Sequence, residues 1–164
     1  MALTLVVEDG TGKADANAFV SSATATTLLE AHPFASAWTS VANKDQCIAE
    51  ATATLSQQPW LGIATSDTQA LAWPRAYMQT PDGYAIASNV IPLFLQQACA
   101  RLAFALSQLS STPYEDTGLM PGTELELPGG LRLTPSANAA TTLPPDVRAL
   151  LNGYVRGRGA LERV

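Results

Sequence analysis

Gly10-Thr11-Gly12-Lys13 is the first run in this chain whose residue types could handle a phosphate, a glycine-bracketed turn followed by a lysine. A phosphate loop needs a glycine five residues before its Gly-Lys pair and a Ser or Thr after the lysine. Those positions hold Val7 and Ala14, so the run reads as a turn. Glu8, Asp9 and Asp15 flank it, and clustered carboxylates can hold a hard cation. Their spacing fits no calcium loop, and they read as solvated turn carboxylates. His32 is the only histidine, and Cys47 and Cys99 are far from it. Zinc needs three or four ligands, and a Ser or Cys nucleophile needs a base. His32, beside Pro33, reads as a helix-end cap for terminal carbonyls. We therefore expect no catalytic residue, metal or cofactor.

Two other clusters suit recognition. In Trp73-Pro74-Arg75 the indole can fill a pocket, the proline fixes the chain, and the guanidinium can grip a carboxylate with two N–H groups. The cluster reads either as a structural corner or as a partner contact through Trp73 and Arg75. Trp38 and Trp60 read as core or subunit-contact residues, because base stacking works with a basic groove and only Lys44 lies near. The second cluster is the C-terminus, where Arg148, Arg156, Arg158 and Arg163 face only Glu162 after Asp146. With Tyr154 before it, this end reads as a segment that docks on an acidic partner or nucleic acid, against the alternative of a solvated terminus.

The chain as a whole is acidic, with net charge −5 over 164 residues. A protein that neutralises phosphates needs a basic surface, so DNA binding is disfavoured as its main role. Charged residues make up only 14% of the chain. Burial against other chains explains that scarcity, as does solvation by the many Ser and Thr. The length allows one domain with its own core. Two lone cysteines without a CxxC spacing read as reduced packing residues. No secretory signal is visible at Met1-Ala2-Leu3, and the apolar window from Ala98 to Leu106 is broken by Arg101 and too short to cross a bilayer.

The elements that must position these residues are mainly helical. Leu3, Leu5 and Val7 alternate with Thr4, Val6 and Glu8 and predict a short N-terminal strand with one wetter face. Ser21 or Ser22 caps a helix to about Glu30. Asn43 begins a helix to about Gln58, with Ile48, Ala51 and Leu55 on one stripe and Pro59 as its stop. Residues 60–83 are turn-rich, with a helical turn at 67–71. Pro92 opens the strongest helix, with apolar residues at Ile91, Leu95, Ala98, Leu102, Ala105 and Leu109. Between Glu124 and Thr134 the period becomes two, and Pro128-Gly129-Gly130 closes a hairpin that sets Glu126 opposite Arg132. Its leucines, Leu125, Leu127, Leu131 and Leu133, share one side and need a covering helix or a neighbouring subunit. Pro144-Pro145-Asp146 starts a last helix. The fold class is therefore mainly α: a small helical bundle over residues 1–155 with a strand and a hairpin, then a tail over 156–164.

The order of these pieces resembles the head-to-tail adaptor (head-completion, connector) proteins of tailed bacteriophages, some labelled DnaT-like single-stranded-DNA-binding proteins. The pieces are Val7-Glu8-Asp9-Gly10-Thr11-Gly12, Ala16-Asn17-Ala18-Phe19-Val20, Gln69-Ala70-Leu71-Ala72-Trp73-Pro74-Arg75, Ile91-Pro92, the hairpin and Leu143-Pro144-Pro145. The resemblance implies an oligomeric ring, commonly of twelve copies, beneath a portal protein in the virion neck. Such a ring extends the channel for double-stranded DNA, presents a surface to a stopper or tail protein, and has no active site or membrane contact. It also implies that Tyr154, Arg156, Arg158 and Arg163 reach the portal.

Overall fold

The structure, a computed structural model, describes residues 3–108, 125–127, 131–133 and 143–156. Five helices and two small antiparallel strand pairs make up the described fold: α1 Ser22–Leu29, α2 Ala35–Thr39, α3 Lys44–Ser56, β1 Ile63–Ala64, β2 Arg75–Ala76, α4 Leu93–Ser107, β3 Leu125–Leu127, β4 Leu131–Leu133 and α5 Pro145–Leu151. The mainly helical class read from the sequence holds. α4 is the central helix, packing against α1, α3 and α5.

Each long helix has a local cause. Ser21 accepts a hydrogen bond from Thr24 N at 3.1 Å, an N-cap of the kind that stabilises a helix by about 1 kcal/mol. The Ser22 hydroxyl, in turn, donates to Asp45 in the first turn of α3, tying the two helix starts together. Asp45 also suits the positive end of α3. Along α3, Cys47, Ile48, Ala51, Thr52 and Leu55 are buried; along α4, Leu95, Ala98, Cys99, Leu102 and Ala103 are. Small residues at Ala51 and Ala98 let these helices approach closely. Between them, Thr52 Oγ1 accepts from Phe19 N and meets Cys99 Sγ at 3.5 Å, which satisfies the buried hydroxyl. Both cysteines are free and buried, and burial pushes the Cys99 thiol up to about 11.

Several expectations change. The N-terminal strand is not a strand: Val7 makes a single parallel bridge to Ala18, and the Asn17 side chain takes the Val6 N–H that a ladder would have used. α2 is an added five-residue helix, and it buries Trp38. The helical turn at 67–71 gives way to bends held by the Gln69 side chain, which accepts from Ser66 N and donates to the Leu71 and Pro74 carbonyls. β1 and β2 bracket that loop. Pro92 is the N-cap of α4 rather than a first-turn residue. His32 caps no carbonyl with its side chain; Nδ1 accepts from Phe34 N at 3.2 Å, and the ring meets Phe104 edge-on. β3 and β4 pair in the expected register, Leu125 with Leu133, Glu126 with Arg132 and Leu127 with Leu131. The connecting turn at 128–130 and Leu109 lie outside the described residues.

Candidate interaction surfaces

The glycine turn near the N-terminus is built around an internal acid. Glu8 is only 2% exposed, so it is not the solvated carboxylate expected. Its Oε1 accepts from Gly10 N and Gly12 N, both at 2.9 Å, and its Oε2 accepts from Lys13 N at 2.7 Å. Three backbone donors curled around one carboxylate take all but one of its roughly four acceptor sites, so the acid organises the turn from inside. Gly10 must be glycine, because its φ is +101° and a Cβ would overlap the Asn89 carbonyl oxygen. Asp9 faces solvent, bonded to Thr11 and paired with Lys13 Nζ at 2.9 Å. The Thr11 hydroxyl and then Lys13 hold its carboxyl down at about 2. Among the described residues no group of His, Cys, Asp and Glu could hold a metal ion.

The Trp-Pro-Arg cluster is a corner. Trp73 is fully buried, which corrects its reading as a partner contact: its ring has no face left for another chain. It stands edge-on to Trp60 at 5.5 Å and to Phe94 at 5.8 Å, and Phe94 stacks flat on Tyr154 at 3.7 Å. This aromatic column joins the end of α3, the corner, α4 and the C-terminal segment. The peptide bond before Pro74 is cis. Arg75 donates to the carbonyls of Leu61, Gly62 and Ala72 at 2.7–3.0 Å, closing the loop on itself. Two of its five N–H donors remain for another partner.

The C-terminal segment is fastened before it leaves the body. Leu61 N donates to Tyr154 O, Arg156 N donates to Pro59 O, and Trp60 bridges Val155. The Tyr154 carbonyl and one face of its half-buried ring are thus used within the fold. Arg156 is exposed and has no ion pair among the described residues. It lies close enough to Arg75 to hold that guanidinium below its ordinary range, after the larger effect of burial. Arg158 and Arg163 lie outside the described residues, as do the side chains of Leu125, Leu127, Leu131 and Leu133.

Beside Arg75 and Arg156 is an apolar surface that the sequence did not announce. Ile63 is 57% exposed and Tyr77 83%, with Leu61 also exposed. Ile63 pairs with Ala76, so Tyr77 follows directly on the same strand pair. Tyr77 has φ of +60°, an uncommon conformation for a bulky residue. No local signal in the sequence marks it. Elsewhere, an open cleft of about 430 Å³ is lined by Leu28, Leu29, His32, Pro33, Arg101 and Asp146. Its one ion pair is loose, Arg101 to Asp146 at 3.7 Å, and no nucleophile lines it.

The chain belongs to the family described as "Putative DnaT-like ssDNA binding protein", which it matches over residues 3–164. No curated protein and no solved structure matches it. Among the described residues, no helix is long and apolar enough to cross a membrane.

Proposed function

We propose that this protein is a structural component that works by docking on other proteins, a head-to-tail adaptor of a tailed bacteriophage virion. It acts as an oligomeric ring between portal and tail partner, with DNA passing through and no chemical step. The observation that carries the reading is how the cations are used. Lys13 pairs with Asp9, Lys44 bonds Thr39 O, Arg75 holds three carbonyls, Arg101 faces Asp146, and Arg148 bonds Leu143 O. These bonds tie the side chains down on a body of net charge −5, while Leu61, Ile63 and Tyr77 stand exposed beside Arg156. An apolar patch with a cation at its rim suits a protein interface. In this reading, removing residues 157–164 abolishes attachment to the portal protein and leaves the melting curve of the free chain unchanged. Full attachment by the truncated chain would overturn the docking role of that end.

Binding of single-stranded DNA is the second reading, and the family description speaks for it more directly than for an adaptor. The exposed ring of Tyr77 offers one stacking face, and base stacking contributes roughly 1–3 kcal/mol per base. Against it stands the absence, among the described residues, of a run of free cations to track a phosphate backbone. Salt-dependent binding of an oligonucleotide near physiological ionic strength would favour this reading.

A further inference from the structure

We propose that Tyr77 of one copy of this chain inserts into the open cleft between α1, α4 and α5 of a second copy, its hydroxyl set between Arg101 and Asp146. The proposal rests on the assembly reading above and names its contact. The cleft, of about 430 Å³, has Leu28, Leu29 and Pro33 as apolar lining, with the His32 ring beside them. Arg101 Nη1 and Asp146 Oδ2 are 3.7 Å apart, too far for a hydrogen bond. Their side chains are 42% and 45% exposed, so both remain open to an incoming group. The chemistry of that group is narrow. A carboxylate would meet Asp146, and an ammonium would meet Arg101, each with a charge of its own sign. A phenol is neutral, donates one hydrogen bond, accepts another, and brings a ring for the apolar lining. An aliphatic hydroxyl has the same polar end but nothing to cover Leu28, Leu29 and Pro33.

The chain itself carries such a phenol, held outward. Tyr77 is 83% exposed, and its φ of +60° is an outlier for a bulky residue. Its flanks enforce that conformation: Arg75 is bonded to three carbonyls, and buried Met78 accepts from Ile86 N at 2.9 Å. Strain that the surroundings hold in place points to a use, and here it keeps an aromatic ring in water. Phenol and cleft lie toward opposite ends of the α4–α5 pair. Arg101 faces Asp146 at one end, and Phe94 stacks on Tyr154 at the other. Tyr77 lies between Trp73, which meets Phe94, and Pro81, whose ring packs by Gly153. Phe94 and Arg101 are seven residues apart in α4, about 10 Å along the helix axis. With knob and socket at different ends, the contact is head-to-tail and repeats into a ring or filament.

Photocrosslinking in the full-length protein tests this, with p-azidophenylalanine in place of Tyr77. The exchange is aromatic for aromatic at an exposed site, so the melting curve should match the parent. Irradiation is expected to give a covalent dimer whose linked peptides contain residues 28–33 or Arg101 of the other copy. Its yield should stand well above that from the same group at Tyr84, which is also exposed. Leu28→Lys, which puts an ammonium in the apolar lining, should lower the yield roughly fivefold, while Ala53→Lys on the exposed side of α3 should not. Three results would overturn the contact: no dimer, links that stay within one chain or map outside the cleft, or loss of the dimer when excess oligo-dT is added. Failure here with portal attachment intact removes this contact alone and leaves the adaptor reading standing.

Discussion

Replacing Glu8 by glutamine tests whether the N-terminal turn is organised by a buried carboxylate. In the native chain one oxygen serves Gly10 N and Gly12 N and the other serves Lys13 N. Glutamine keeps one carbonyl oxygen for two of these donors but turns an NH2 group toward the third. The change removes the charge assistance from two hydrogen bonds and the whole of another, which amounts to about 2–4 kcal/mol. For a chain of this length each kcal/mol moves the melting temperature by about 2–4 °C, so a drop of roughly 4–16 °C is expected. Urea unfolding of Glu8→Gln and the parent, followed by circular dichroism, measures it, with slopes compared to show that both unfold from similar states. A change within about 0.5 kcal/mol would refute the reasoning, since that is the range of an ordinary surface substitution.

Other substitutions follow from the same geometry. Gly10→Ala should cost more than about 2 kcal/mol in urea unfolding, and clearly more than Gly83→Ala, because both sites have positive φ but only Gly10 has a carbonyl where the new methyl group would sit. Arg75→Lys should cost about 1–2 kcal/mol, since one ammonium cannot hold the Leu61, Gly62 and Ala72 carbonyls in the guanidinium's planar geometry. Asp9 gives a pH prediction. Its folded carboxyl titrates at about 2 against an ordinary 3.8, so its contribution is present above pH 3.8 and is lost as pH falls toward 2. Stability profiles of the parent and Asp9→Asn should therefore differ above pH 4 and converge near pH 2; parallel curves would contradict this.

The helices were legible where the sequence carries its own punctuation. Ser21, Asn43, Pro92 and Pro145 sit at or beside observed starts, and the stripes through Ile48–Leu55 and Leu95–Leu102 are the buried ones. The hairpin register followed from leucine alternation together with the three-residue Pro128-Gly129-Gly130 turn. What failed depends on contacts distant in sequence. Glu8 looked solvated because an acid before Gly-x-Gly is usually so, and only the closing of the turn, with Gly10 pressed on Asn89, makes it internal. Trp73 was ambiguous because burial depends on Trp60 and Phe94, thirteen and twenty-one residues away. Tyr77 had no signal, since nothing in its neighbours forces positive φ. For the interaction surface, Arg75 and Arg156 were each visible in the sequence, but their adjacency follows from the pairing of Pro59–Leu61 with the C-terminal segment.

The central claim, that this protein engages protein surfaces rather than nucleic acid, meets its most direct test in a titration. A fluorescent oligo-dT of about thirty nucleotides, long enough for an aromatic groove to track, is followed by anisotropy across a range of salt concentrations. The account predicts no saturation up to roughly 100 μM protein near physiological ionic strength. Saturation below roughly 10 μM, with a log–log salt slope of about −2 or steeper, would contradict it.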